Sequence, residues 1–305
     1  MSSGPRREAA TVMSIVARLL TEPSYLAQFM RDRHEALSTY RTPPIIHDEL
    51  LALDAERVRH FGALISKVQH NLLWKCFGGT LYVLKQYGVE LNVFAEYRRS
   101  SPPMHANVSA EERVRRFLDF LPTILASAPS GSLYGLSEVL EHERNIWEIE
   151  CALTRHRNVR PKACVNQRGL RPWNPRNLVP RFRGVVQFAA YPFNPNELKE
   201  KLRANCLRRR HAVQIRRART KRCRLLYWGD PESMSVRVFQ LPIDLFSLLQ
   251  LVDGRQSVEQ LASVWHPRDQ SVSASSLCRK LLERASQAGV ILFVTASKPS
   301  TGDRL

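Results

Sequence analysis

The first half of the chain repeats apolar residues at three- and four-residue spacing, the period of helices with one buried face. Val12, Ile15, Val16, Leu19 and Leu20 predict a first helix, which Pro23 stops. Leu50, Leu51, Leu53, Val58, Phe61, Leu64, Ile65 and Val68 predict one helix from His47 to His70. Leu72 to Tyr87 is apolar nearly all round and belongs at the centre of a bundle. Gly78-Gly79 inside it is tolerable if a neighbouring helix packs close there. Ser109 followed by Glu112 reads as a capping box for a helix from Ala110 to Phe120. Ser137 is expected to cap a last helix through Glu138, Val139, Leu140, Ile146, Trp147 and Ile149. Strand-like alternation is missing, so residues 1–156 are expected to form an α-helical domain of five or six helices.

Beyond it the period changes. Residues 157–183 carry Pro161, Pro172, Pro175 and Pro180 without periodicity and read as an irregular connection. Val185, Val186 and Phe188 suggest a strand, and Asn194-Pro195 opens a helix from Asn196 to Leu207. Val213/Ile215 and Leu225/Tyr227 alternate with Arg and Lys, as strands with one wet, basic face do. Met234 to Gln240 alternates again through Val236 and Val238. Leu245, Leu248, Leu249 and Val252 then predict a helix ended by Asp253-Gly254. Ser257, with Gln260 at the capping-box position, opens a second helix carrying Val258, Leu261, Ala262 and Trp265. Ser273 opens a third with Leu277, Leu281, Leu282, Ala285 and Ala288; Gly289 closes it and Val290 to Val294 forms a last strand. The fold class is therefore α+β, with basic strands and a winged-helix domain over residues 184–298 and a tail of 299–305.

Charge changes this picture at one place. The formal net charge is +18, and Cys151 to Asp230 holds 21 Lys+Arg against three acids, an excess equal to the whole. Like charges at that density repel, so an anionic partner (nucleic acid, an acidic peptide or an acidic protein surface) would relieve a real cost. A solvated basic linker is the plainer reading of the same run. No apolar run approaches the roughly 20 residues that span a bilayer, and no secretory signal is read in the first twenty residues. Six cysteines spread through such a chain favour reduced thiols in a cytoplasmic protein. Cys76, Cys206 and Cys278 are expected to be buried structural thiols.

The words Leu225-Leu226-Tyr227, Leu249-Gln250-Leu251-Val252-Asp253-Gly254, Ser257-Val258-Glu259-Gln260-Leu261 and Ala288-Gly289-Val290-Ile291 resemble PqqD-like domains. These are the recognition elements of ribosomally made, modified peptides. The resemblance covers about Arg222 to Val294. It implies that a leader peptide docks as an extra strand beside Ser235, Val236, Arg237, Val238, Phe239 and Gln240. The third helix, with Leu277, Arg279, Lys280, Leu281 and Arg284, would form the other wall. An exposed strand edge offers unpaired backbone groups to an extended peptide, and Arg237, Arg279, Lys280 and Arg284 would read its acidic side chains.

In the helical half, Arg113 to Leu121 with Phe117-Leu118 and Leu121-Pro122 is similar to the helical DUF2063-type domain. Gly135-Leu136-Ser137-Glu138, and Leu140-Glu141 followed by Glu143, extend that similarity. That domain accompanies multinuclear non-heme iron-dependent oxidative (DUF692-type) enzymes. The two halves together resemble those enzymes' partner subunits, of the methanobactin (MbnC-type) and 3-thiaglutamate (TglI-type) kinds. The resemblance implies a non-catalytic subunit without a cofactor of its own. It would bind a small carrier peptide with a C-terminal cysteine and present that cysteine to the iron of a TglH-like partner. No membrane partner is expected, and nucleic acid is disfavoured.

Rival readings remain. A DNA-binding winged helix would place Ser275, Ser276, Arg279, Lys280 and Arg284 in the major groove. Against it, the helix also carries Glu283, Asp269 flanks it, and the densest basic run, Arg208 to Arg224, lies upstream. His47 with Asp48, or Glu138, Glu141, His142, Glu143, Glu148 and Glu150, could suggest a metal site. The latter run reads better as the solvent side of an amphipathic helix. Cys151, His156 and Cys164, with Cys206, His211 and Cys223, can be drawn as a zinc site, but no CxxC spacing supports it. A self-sufficient enzyme is the third class, and no motif marks its nucleophile.

Overall fold

A computed structural model describes residues 4–69, 71–100, 108–127, 133–156, 176, 178–207, 221–268 and 273–295. Several expectations lie outside them: the Val213/Ile215 strand, the basic run at 208–220, most of the 157–183 connection, Cys164, His211 and Asp269. The described residues form two compact units, one from 1–140 and 198–215, the other from 141–197 and 216–305. The division falls inside the helix that the sequence assigns to the first domain.

The regular elements of the first unit, among the described residues, are helices: α1 (Gly4–Thr21), α2 (Pro23–Arg31), α3 (Arg33–Leu37), α4 (Pro44–Leu51), α5 (Ala55–Gln69), α6 (Asn71–Cys76), α7 (Gly78–Gln86), α8 (Glu90–Ser100) and α9 (Ala110–Ser127). It also takes in the start of α10 (Leu136–His156) and most of α11 (Pro195–Leu207). Helices are shorter and more numerous than periodicity predicts. The expected His47–His70 helix is two, because the Asp54 carboxylate accepts from the Glu56 and Arg57 amides and caps α5. The Leu72–Tyr87 helix breaks at Phe77, whose φ of −129° and ψ of 36° are not helical and whose ring is fully buried. Gly78-Gly79 starts α7 instead of interrupting a longer helix. In the other direction, α9 runs past Phe120 through Pro122 to Ser127. One arm of its expected capping box is present, the Glu112 amide donating to Ser109 Oγ at 3.1 Å, while the Glu112 carboxylate accepts from Arg116 at 2.9 Å. Helix α10 begins at Leu136, so Ser137 lies inside it.

Two apolar centres hold this unit. Ile15, Leu19, Tyr25, Leu26, Phe29, Ala36, Leu37 and Leu50 pack together at one. At the other, the Phe117 ring stacks on Phe94 at 5.9 Å and meets the edge of Tyr97 at 5.3 Å.

The second unit is mixed: β1 (Leu178–Phe182), β2 (Val185–Tyr191), β3 (Cys223–Asp230), β4 (Ser235–Gln240), α12 (Ile243–Gln250), α13 (Val258–Val264), α14 (Ala274–Gln287) and β5 (Ile291–Thr295). One antiparallel sheet has the order β2-β3-β4, and β1 pairs antiparallel with β5 in a second, two-stranded sheet. Strand β1 falls where an irregular connection was expected, Pro180 notwithstanding. The Arg183 amide donates to the Val290 carbonyl at 2.9 Å, which fixes the ladder's phase. Arg181 and Val179 then bond inward, and Pro180 sits where the missing N–H faces away from β5.

The three-stranded sheet is covered on both sides. Leu226 and Trp228 of β3 join Leu248, Leu249, Leu261, Cys278 and Leu282 of the α12–α14 layer. Leu225 and Tyr227 join Ile149 and Leu153 of α10. Strand β3 is therefore buried almost end to end, which corrects the expectation of a wet, basic face there. A Cβ at Gly229 would come within 2.6 Å of Ile149 Cγ2, so the absent side chain is what lets α10 lie so close. The Ser257–Gln260 capping box forms in full, and Gly289 takes positive φ just past the end of α14. Helix α12 ends at Gln250, short of the expected Asp253-Gly254, and Gly254 takes positive φ in the turn that follows.

Candidate functional site

Among the described residues, strand β4 is an edge. It pairs with β3 in an unbroken register from Leu225↔Gln240 to Asp230↔Ser235, and it ends the sheet. Which of its backbone groups are spent follows from one bond: the Leu241 amide donates to the Arg224 carbonyl at 2.9 Å. Antiparallel ladders alternate bonded and non-bonded pairs. Phe239, Arg237 and Ser235 therefore turn their N–H and C=O groups to β3. Val236, Val238 and Gln240 turn theirs to the open side.

Side chains alternate independently across the sheet. Phe239 packs against the core below the three helices, and Val236 against the core that includes α10. Val238 is 38% exposed. The strand is thus anchored through two residues and offers backbone through the others. A four-residue turn, 231–234, leads into it. Asp230 holds that turn, one carboxylate oxygen accepting from the Glu232 amide at 3.0 Å and the other from Ser233 Oγ at 2.7 Å.

The expected cations differ in how free they are. The Arg237 guanidinium lies over the Trp228 ring at 5.6 Å and 3.7 Å from Asp230 Oδ2, so much of its charge is already met. Arg279 binds Glu283 one turn on at 2.9 Å. Lys280 and Arg284 are exposed and share one flank of α14 with half-buried Leu277, at three- and four-residue spacing. Arg279 lies on the opposite flank. Leu281 is buried, 8% exposed, and serves the core. Leu277 packs against that same core, as Phe239 does.

The acidic run of α10 is split: Glu141 and Glu150 are exposed as expected, and its middle is not. His142 and Glu143 are each 1% exposed and Asn145 4%, where a solvated face was expected. His142 Nδ1 lies 2.7 Å from the Tyr227 hydroxyl, which lies 3.0 Å from the Tyr191 hydroxyl. Asn145 Nδ2 donates to Tyr191 at 3.0 Å and its Oδ1 accepts from Gln187 at 2.7 Å. The network ties α10 to β2 and β3. Burial pushes the Tyr227 phenol up to about 12 and raises that of Tyr191 as well, Tyr227's hydroxyl adding to the latter shift. These hydroxyls stay neutral and act as hydrogen-bonding groups. The signal that could have exposed them is the spacing His142, Asn145, Ile149, which puts the polar pair on the same helical stripe as a core isoleucine.

Among the described residues, no three His, Cys, Asp or Glu side chains come together to hold a metal. Cys278 is fully buried, and burial alone lifts its thiol to about 11, far from nucleophilic. Cys223, weighed from sequence only as part of a zinc set, is a buried thiol, while Cys76, expected to be buried, is only half-buried. No described helix is long and apolar enough to cross a membrane. Comparison with known proteins finds no family model and no curated protein that matches the chain.

Proposed function

We propose that the chain is a non-catalytic accessory subunit that captures a ribosomally made precursor peptide as an added strand along β4. It would present the peptide's cysteine to a multinuclear non-heme iron enzyme. The β2-β3-β4 sheet followed by α12, α13, α14 and β5 is read here as a winged-helix, PqqD-like recognition element. The observation that carries this reading is the open edge of β4, where Val236, Val238 and Gln240 turn their backbone groups outward. Such an edge binds extended chains through main-chain hydrogen bonds. The two uncommitted cations on α14, Lys280 and Arg284, favour an acidic leader.

The partner enzyme supplies the iron; this chain supplies position. Holding the leader here while the core peptide sits in the enzyme raises the local concentration of the cysteine at the metal. Co-expression with a multinuclear iron enzyme and its short precursor peptide tests the reading. Co-purification of the pair and saturable peptide binding by this chain are expected. Neither complex nor peptide affinity would end the proposal. Duplex DNA binding whose affinity falls with salt at a log–log slope of about −0.9 per phosphate contacted would put a winged-helix regulator in its place.

A further inference from the structure

Within the helical unit, α2, α5 and α8 enclose a cleft of about 130 Å³ lined by Leu26, Ala27, Met30, Arg59, Arg98 and Arg99, with Pro23, Ala95 and Glu96 completing the wall. We propose that this cleft binds a small organic monocarboxylate, its carboxylate on Arg98 and its short apolar arm against Leu26, Ala27 and Met30. Nothing in the peptide-binding reading requires it, and the two stand independently.

The inference rests on where the charges are spent. Arg59 is committed, with Nε on Glu56 at 2.9 Å and Nη2 on Asn92 at 3.1 Å. Arg99 is committed to Glu96 at 2.7 Å. Arg98 is not. Its guanidinium is half-buried, Nη1 occupying the space where Gly62 has no side chain: a Cβ there would lie 1.9 Å away. Of its five N–H donors, one reaches the Leu19 carbonyl at a long 3.4 Å. No carboxylate of the described residues forms an ion pair with it, and burial lowers its pKa with no opposing charge. A guanidinium so placed bears a desolvation cost that a carboxylate would offset through its two-pronged geometry.

The same tally sets the ligand class. The cleft has three cations, two of them neutralised by Glu56 and Glu96, which leaves one unmatched positive charge. One charge suits a monoanion. A phosphate dianion would leave one of its two charges unmatched and the apolar wall unused. That wall, with Met30 45% exposed, suits a short aliphatic or aromatic arm.

Calorimetric titration of the full chain with sodium isovalerate, its neutral amide and inorganic phosphate tests this. Isovalerate should bind saturably, and the amide and phosphate at least tenfold more weakly. Arg98→Met should lose the binding. Ala27→Phe, which adds bulk to the cleft wall at an exposed position, should lose it too and decides the matter if Arg98→Met does not fold. No saturable isovalerate binding, equal affinity for the amide or phosphate, or full affinity in Ala27→Phe would each overturn the proposal.

Discussion

Replacing Val238 by proline separates the edge of β4 from its fold. The Val238 amide points away from β3, so proline there removes no ladder bond; its side chain is 38% exposed, so little core is lost. Arg237, the residue before it, is already extended, the conformation that a following proline favours. Fold stability should therefore stay within about 1 kcal/mol of the parent, the range of a modest surface change. Peptide binding should not survive so well. One main-chain hydrogen bond is worth about 0.5–1.5 kcal/mol, and the pyrrolidine ring also crowds the incoming strand. A loss of roughly tenfold or more in affinity is expected, ~1.4 kcal/mol. Phe239→Pro is the contrast. It removes an inward amide and a ring that packs on the core, and should cost about 3 kcal/mol or more in stability. Urea denaturation gives the stabilities and fluorescence anisotropy with a labelled precursor peptide gives the affinities. Undiminished affinity in folded Val238→Pro would place the peptide elsewhere.

Other expectations follow from the same geometry. Tyr227→Phe leaves His142 and the Tyr191 hydroxyl short of a partner inside the core, and should lower stability by about 1–3 kcal/mol on urea titration; an unchanged midpoint would mean that water replaces the hydroxyl. The Tyr227 phenol, held at about 12 when folded, titrates near 10 when unfolded. The unfolded chain therefore loses its proton first. Its contribution is intact below about pH 10 and is lost as pH rises from there to about 12, a loss that Tyr227→Phe should reduce. Lys280→Glu with Arg284→Glu should weaken an acidic peptide more than Arg279→Glu does, because Arg279 is already paired; equal effects at low salt would refute the assignment of a flank. Ser257→Ala removes the amide acceptor of the α13 capping box and should cost about 1 kcal/mol in thermal or urea unfolding.

The C-terminal elements were legible because their signals are local. Ser257 with Gln260 and Gly289 fix helix ends through bonds and dihedrals spanning three or four residues, and both appear as read, whereas Asp253-Gly254 forms the turn after α12, which already ends at Gln250. The β4 strand was legible for the same reason, its alternation falling between a turn and a proline. The helical unit was legible in kind but not in number. Asp54 and Phe77 interrupt patterns that remain apolar on either side, since periodicity reports a buried face and not the continuity of the helix that carries it.

What the sequence by itself determined was the helical character of the first half, the strand and helices from β4 to β5, the cap at Ser257, and the concentration of positive charge over Cys151 to Asp230. Tertiary structure alone decided the rest. It made β3 a strand buried on both faces, although arginine and lysine flank it. It turned the acidic stripe of α10 inward at His142 and Asn145, and it paired β1 with β5 across more than a hundred residues. It also decided which cations are free. Arg237 and Arg279 meet carboxylates, whereas Lys280, Arg284 and Arg98 form no ion pair among the described residues. The physical reason is the same in each case. Burial and charge compensation are set by what packs against a residue, and that neighbour lies far away in the chain.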